Sequence, residues 1–137
     1  GQPAGMQELL DRHNFYRARH HAAPLAWSDD LARAAQSYAG QCVWKHSSLG
    51  HGENLYATSA AFNGASATDA WYDEVSQYDY NNPGFSSGTG HFTQVVWKGT
   101  ASLGCGVEFC SNILGGANFL VCEYSPPGNV QGQFDSN

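Results

Sequence analysis

The chain has 137 residues, 42% hydrophobic and 13% charged, which suits one domain built on a single core and excludes a disordered polypeptide. No apolar run approaches the roughly 20 residues of a membrane-spanning helix. The net charge is −6, and after Lys45 eight acidic residues face only Lys98, a balance that repels a phosphate backbone and excludes nucleic acid as a partner.

The start, "GQPAGMQELL", lacks the basic-then-apolar layout of a signal peptide, so a secreted chain would be a mature form with its leader removed. Met6, Leu9, Leu10, His13 and Tyr16 recur at helical spacing and predict a first helix that fades near His20 and His21. Pro24 stops any continuation. Ser28 reads as the N-cap of a second helix, with Asp29 and Asp30 in its first turn and Leu31, Ala34, Ala35, Tyr38 and Cys42 along its apolar stripe. A third, short helix is expected from Ser66, with Asp69 as its capping-box partner and Trp71 and Val75 facing inward. Residues 78–90 read as loop, from Asn81-Asn82-Pro83-Gly84 and the Ser/Gly run that follows. The segment "HFTQVVW" fits either a strand or a buried helical turn.

The last third carries two alternating segments, "LGCGVEF" and "NFLVCEY", around a turn-like "CSNILGGA", and these predict a β-hairpin. If Phe109 faces Asn118, then Val107 faces Leu120 and Cys105 faces Cys122, close enough to bridge. Four cysteines allow three pairings; that register favours Cys105–Cys122 and leaves Cys42–Cys110. None of their spacings is a zinc-finger spacing, so disulfides and an oxidising compartment are expected. The class is α+β, with one domain over 1–137, a core over 5–126 and an extended tail over 127–137.

Four residues stand out by chemistry: His46, Glu53, Glu74 and His91. Two imidazoles and two carboxylates suit a divalent ion or a general acid and base, although spacing alone does not bring them together. The remaining histidines, His13, His20, His21 and His51, read as surface or helix-face residues. Gly84-Phe85-Ser86-Ser87-Gly88 matches G-x-S-x-G, but Pro83 and the preceding "YDYNN" make a poor nucleophile-elbow strand, so a serine hydrolase is rejected. Tyr78, Tyr80 and Phe85 cluster in one loop, either folded back on itself or presenting an apolar patch to a lipid or a partner.

Taken together, "KHSSLGHGENLY", "AWYDEVSQYDYNNPGFSSGTGHFTQVVWKGTASLGCG" and "FLVCEYSPPGN" resemble the CAP superfamily: cysteine-rich secretory, antigen 5 and pathogenesis-related proteins, with fungal secreted sterol-binding members the nearest look-alikes. The likeness covers essentially the whole chain. It implies an α-β-α sandwich with a central antiparallel sheet, a short helix at "GHFTQVVW", and the pairs Cys42–Cys110 and Cys105–Cys122. It also implies that His46 and His91 ligate a divalent metal, zinc or else magnesium, with Glu53 and Glu74 holding metal-bound waters. Tyr78, Tyr80 and Phe85 fit the aromatic loop through which fungal members take up sterols, and other members bind fatty acids in a groove between helices. Plant members add a disulfide before the "GHF" motif, where this chain has "GFSSGTG".

The resulting expectation is a secreted, extracellular, monomeric and non-enzymatic binder of sterols or related compounds, active in lipid sequestration or export and in defence or virulence. A metal in the cleft would hold its loop in shape. The alternatives are a metal-dependent hydrolase working through the tetrad, with Glu53 or Glu74 as base, and a module whose aromatic loop meets a membrane or a protein.

Overall fold

A computed structural model describes residues 5–47, 49–86, 88–130 and 132–134. Helix α1 (Met6–Arg19) buries Met6, Leu9, Leu10, His13, Tyr16 and Arg17, the face given by the spacing. Helix α2 (Asp29–Ala39) starts as expected, with the Leu31 N–H donating to Ser28 Oγ at 3.2 Å. Helix α3 (Gly64–Tyr72) begins two residues before Ser66, because Asn63 is its cap and accepts from the Ser66 N–H at 2.9 Å. Asp69 closes no capping box. It accepts instead from Arg12 at 2.9 Å and from the Tyr16 hydroxyl at 2.5 Å, tying α3 to α1. A 3₁₀ turn at Asp73–Gln77 follows, and "HFTQVV" proves helical, as α4 (Gly90–Val95) with Val96 at its end.

The sheet order is β1-β3-β4-β2, with β1 at Ala26–Trp27, β2 at Gly52–Thr58, β3 at Ser102–Cys110 and β4 at Ala117–Ser125. β2, β4 and β3 are antiparallel, and the two-residue β1 adds a parallel rung through Ala26 opposite Ser102, making the sheet mixed at that edge. The hairpin has the register read from its alternation, with Phe109 opposite Asn118 and Cys105 opposite Cys122. Disulfides join Cys105 to Cys122 and Cys42 to Cys110.

Alternation along the strands builds two layers. Leu103, Cys105, Leu120, Cys122 and Tyr124 pack with α1, α3 and α4. Leu55, Ala117, Phe119 and Val121 pack with Ala35, Tyr38 and Ala39 of α2. Gly104 and Gly106 let α2 lie close on β3: a Cβ at Gly104 would sit 2.3 Å from Ala32 N, and one at Gly106 2.4 Å from Gln36 Cα. The result is an α+β sandwich, helices on both faces of one central sheet, in a single domain.

Two buried polar side chains hold the layers in place. Arg17 is fully buried and donates to the carbonyls of Ala23 (2.8 Å), Val95 (3.1 Å), Trp97 (2.8 Å) and Thr100 (3.0 Å). It thereby fixes the link from α4 to β3 against α1. His13, also fully buried, lies with Nδ1 2.9 Å from Leu9 O and Nε2 2.6 Å from the Tyr124 hydroxyl. These partners select the neutral ring protonated at Nδ1. Burial lowers its pKa to about 4.

Candidate functional site

The four residues singled out by chemistry form two separate His–Glu couples. Glu74, in the 3₁₀ turn, accepts from the backbone N–H of His91 (3.0 Å) and of Phe92 (3.1 Å), and its Oε2 lies 2.8 Å from His91 Nδ1. It thus satisfies the first free N–H groups of α4 and orients the His91 ring in one step. That ring stacks on Trp71 at 6.1 Å with 9° between planes. Asn54 Nδ2 bonds the His91 carbonyl and the Tyr124 hydroxyl, both at 3.2 Å, which links this couple to the His13 network.

The second couple is His46 Nδ1 with Glu53 Oε1, at 2.9 Å. Glu53 also accepts from the Ser47 N–H at 2.8 Å and from the Ser47 hydroxyl. Burial would raise its pKa, but hydrogen bonds from His46, Glu123 and Ser47 outweigh that and hold the carboxyl well below the usual range. Glu123 lies opposite Glu53 in the β2–β4 register, is fully buried and is shifted far upward, first by burial and then by the Glu53 carboxylate. It therefore keeps its proton while Glu53 is ionised. His51 Nδ1 stands 3.3 Å from Glu123 Oε1. Nothing in the spacing marked Glu123; a predicted β2 would have paired it with Glu53.

The metal expectation is overturned. Among the described residues no group of three or more His, Cys, Asp or Glu side chains is placed to hold a metal ion. The sheet supplies the reason. Glu53 shares its β2 face with Leu55, which packs in the α2 layer, whereas Asn54 on the other face holds the His91 carbonyl. Each imidazole turns Nδ1 to its own carboxylate, leaving two hydrogen-bonded couples instead of one ligand set. The expectations of a zinc or magnesium cofactor on His46 and His91, of waters held by Glu53 and Glu74, and of a metal-dependent hydrolase are corrected accordingly.

The aromatic loop is partly drawn together. The Tyr78 and Tyr80 rings meet edge-on at 5.0 Å, and Tyr78 leans on Phe92 at 5.4 Å. They wall a cavity of about 300 Å³ with Pro83, Phe92, Val96 and Phe134, and its polar members are His20 and Lys98. Phe85 stands apart, 58% exposed, with its ring over Gly90. Ser87 of the Gly84–Gly88 match lies outside the described residues. Sequence reasoning missed Phe92, Val96, Lys98 and Phe134, which come from segments distant in the chain. Phe134 reaches the site by packing edge-on against Trp97 at 4.9 Å. Two other cavities differ in character. One of about 570 Å³ is lined by Glu8, Asp11, Arg12, Phe15 and Ala65, and one of about 320 Å³ by Trp44, Ala57, Asn112, Ile113 and Leu114.

The profile of the cysteine-rich secretory protein family, CAP, matches residues 10–124. Protein PRY2 of Saccharomyces cerevisiae is 44% identical over 136 residues, spanning 94% of this chain and 39% of that protein. Repressed by EFG1 protein 1 of Candida albicans is 46% identical over 132 residues, spanning 92% and 47%, so the chain covers less than half of either relative's length. Golgi-associated plant pathogenesis-related protein 1 of Homo sapiens is 42% identical over 140 residues, spanning 95% of this chain and 89% of that protein. A crystal structure of NaASP2 with Zn²⁺ superposes with a TM-score of 0.79 at 29% identity, over 96% of this chain and 87% of that one. The secretory family and the two disulfides, which persist in oxidising compartments, mark a secreted, extracellular protein. By sequence and by fold, the chain belongs to the cysteine-rich secretory protein (CAP) family.

Proposed function

We propose that the protein is a non-enzymatic binder of small apolar compounds, sterols foremost, held by the 78–85 loop and the cavity behind it. One observation carries the reading. The cavity brings Tyr78, Tyr80, Pro83, Phe92, Val96 and Phe134 together with His20 and Lys98, so aromatic faces and polar groups share its wall about equally, and Tyr80 is 60% exposed. Aromatic faces beside a few placed polar groups suit a small, largely apolar ligand with a polar end. An aromatic ring left in water gains when a ligand covers it.

The cavity of about 300 Å³ is at the small end for ligand pockets, so a sterol enters with part of its ring system and the loop closes over the rest. The larger cavity beside α1 presents Glu8 and Asp11, and its Arg12 is already paired with Asp69, which disfavours a fatty-acid carboxylate there. Sequestration or export of such lipids outside the cell, in defence or virulence, is the role that follows.

The test is binding of a labelled sterol to the protein and to Tyr80→Ala/Phe85→Ala. Loss of affinity with a thermal midpoint within a few degrees of wild type supports the reading. Unchanged affinity sinks the loop assignment and turns attention to protein partners of the same exposed rings.

A further inference from the structure

Lys98 is the sole basic residue after Lys45, in a stretch that holds eight acidic ones. The fold does not spend it on a carboxylate: among the described residues no Asp or Glu lies within ion-pair distance of it. It lines the aromatic-walled cavity, to which no acidic side chain contributes among the described residues.

His20 is the other basic residue of the cavity's lining. His20 lies at the end of α1, with Nε2 2.7 Å from the Tyr72 hydroxyl. Its pKa is lowered by burial first and then by the nearby charges of Arg19, His21 and Lys98. Lys98 is thus the lysine or arginine of the cavity's lining, in a protein whose net charge is −6. The loop carboxylate Asp79 is engaged by the Asn81 N–H at 2.9 Å. A cavity that sets aromatic faces beside a cation matches a ligand with an apolar body and a negative end. The Lys98 stem can lie along the ligand while its ammonium meets the charge.

Building on the lipid reading above, we infer that the site prefers a ring amphiphile bearing an anionic group, a sulfate ester or a carboxylate, over the matching neutral alcohol, with Lys98 as the anchor for the anion. A half-exposed charge pair of this kind gives about a fivefold preference. That preference shrinks at about 0.5 M salt, where the screening length falls to a few ångströms.

The experiment measures cholesterol and cholesteryl sulfate as competitors of a labelled sterol on the whole chain, on Lys98→Met and on Lys98→Arg. The expected result is tighter binding of the sulfate by the wild type and by Lys98→Arg. Lys98→Met should level the two ligands, whatever their common affinity. Equal binding of both ligands by the wild type, or a preference that survives in Lys98→Met, overturns the anchor and leaves the lipid reading standing. No binding of either ligand removes the lipid reading and the anchor with it.

Discussion

Replacing Tyr80 by alanine isolates the loop's share of binding. The ring is 60% exposed, which leaves about 120 Å² of a side chain of roughly 200 Å² in water. A ligand that covers about half of that buries roughly 60 Å². At about 25 cal/mol per Å², this is worth about 1.5 kcal/mol, or about a tenfold change in Kd. The fold loses only the edge-on contact with Tyr78, about 1 kcal/mol, so the thermal midpoint should fall by no more than a few degrees. Equilibrium titration of a labelled sterol reads the effect. Phe15→Ala is the control, because Phe15 is 56% exposed but lies on α1 beside the cavity of about 570 Å³. An affinity within twofold of wild type for Tyr80→Ala, or an equal loss in Phe15→Ala, would refute the assignment of binding to this loop.

Arg17→Met should lose about 4 kcal/mol in urea unfolding, because the buried carbonyls of Val95, Trp97 and Thr100 lose a charged donor that water does not replace, and the Ala23 carbonyl loses a fourth bond. His13 is held neutral with its pKa lowered from 6.5 to about 4, so the unfolded chain takes up the extra proton as pH falls. Stability is therefore full above pH 6.5 and declines towards pH 4 by about 3 kcal/mol. The lowered His20 adds to this loss and the raised His46, paired with Glu53, opposes it. Unfolding curves across that range check the slope, which should be shallower in His13→Gln. Gly106→Ala should cost about 2 kcal/mol, since its Cβ would stand 2.4 Å from Gln36 Cα and force α2 off the sheet.

The parts of the fold governed by local rules were legible in the sequence. Ser28 declares the start of α2, and the alternation around Cys105 and Cys122 gives the hairpin its register, with the cysteines as a check. β2 was not legible. Glu53 and Asn54 are poor strand formers, and their places are fixed by pairing with β4 more than 60 residues away. The two-residue β1 is too short to carry a pattern. In the site, residue types pointed to His46, Glu53, Glu74 and His91, yet type does not say on which side of the sheet each one lies. The same long-range ordering hid Glu123 beside Glu53, and Lys98 and Phe134 beside the aromatic loop.

The most direct test is equilibrium binding of one labelled sterol to the unmodified protein, carried to saturation and competed with unlabelled sterol. Binding at the 78–85 loop predicts a single saturable phase that unlabelled sterol displaces and that Tyr80→Ala/Phe85→Ala weakens. A signal that rises linearly to the solubility limit, undisplaced and indifferent to those substitutions, would contradict it.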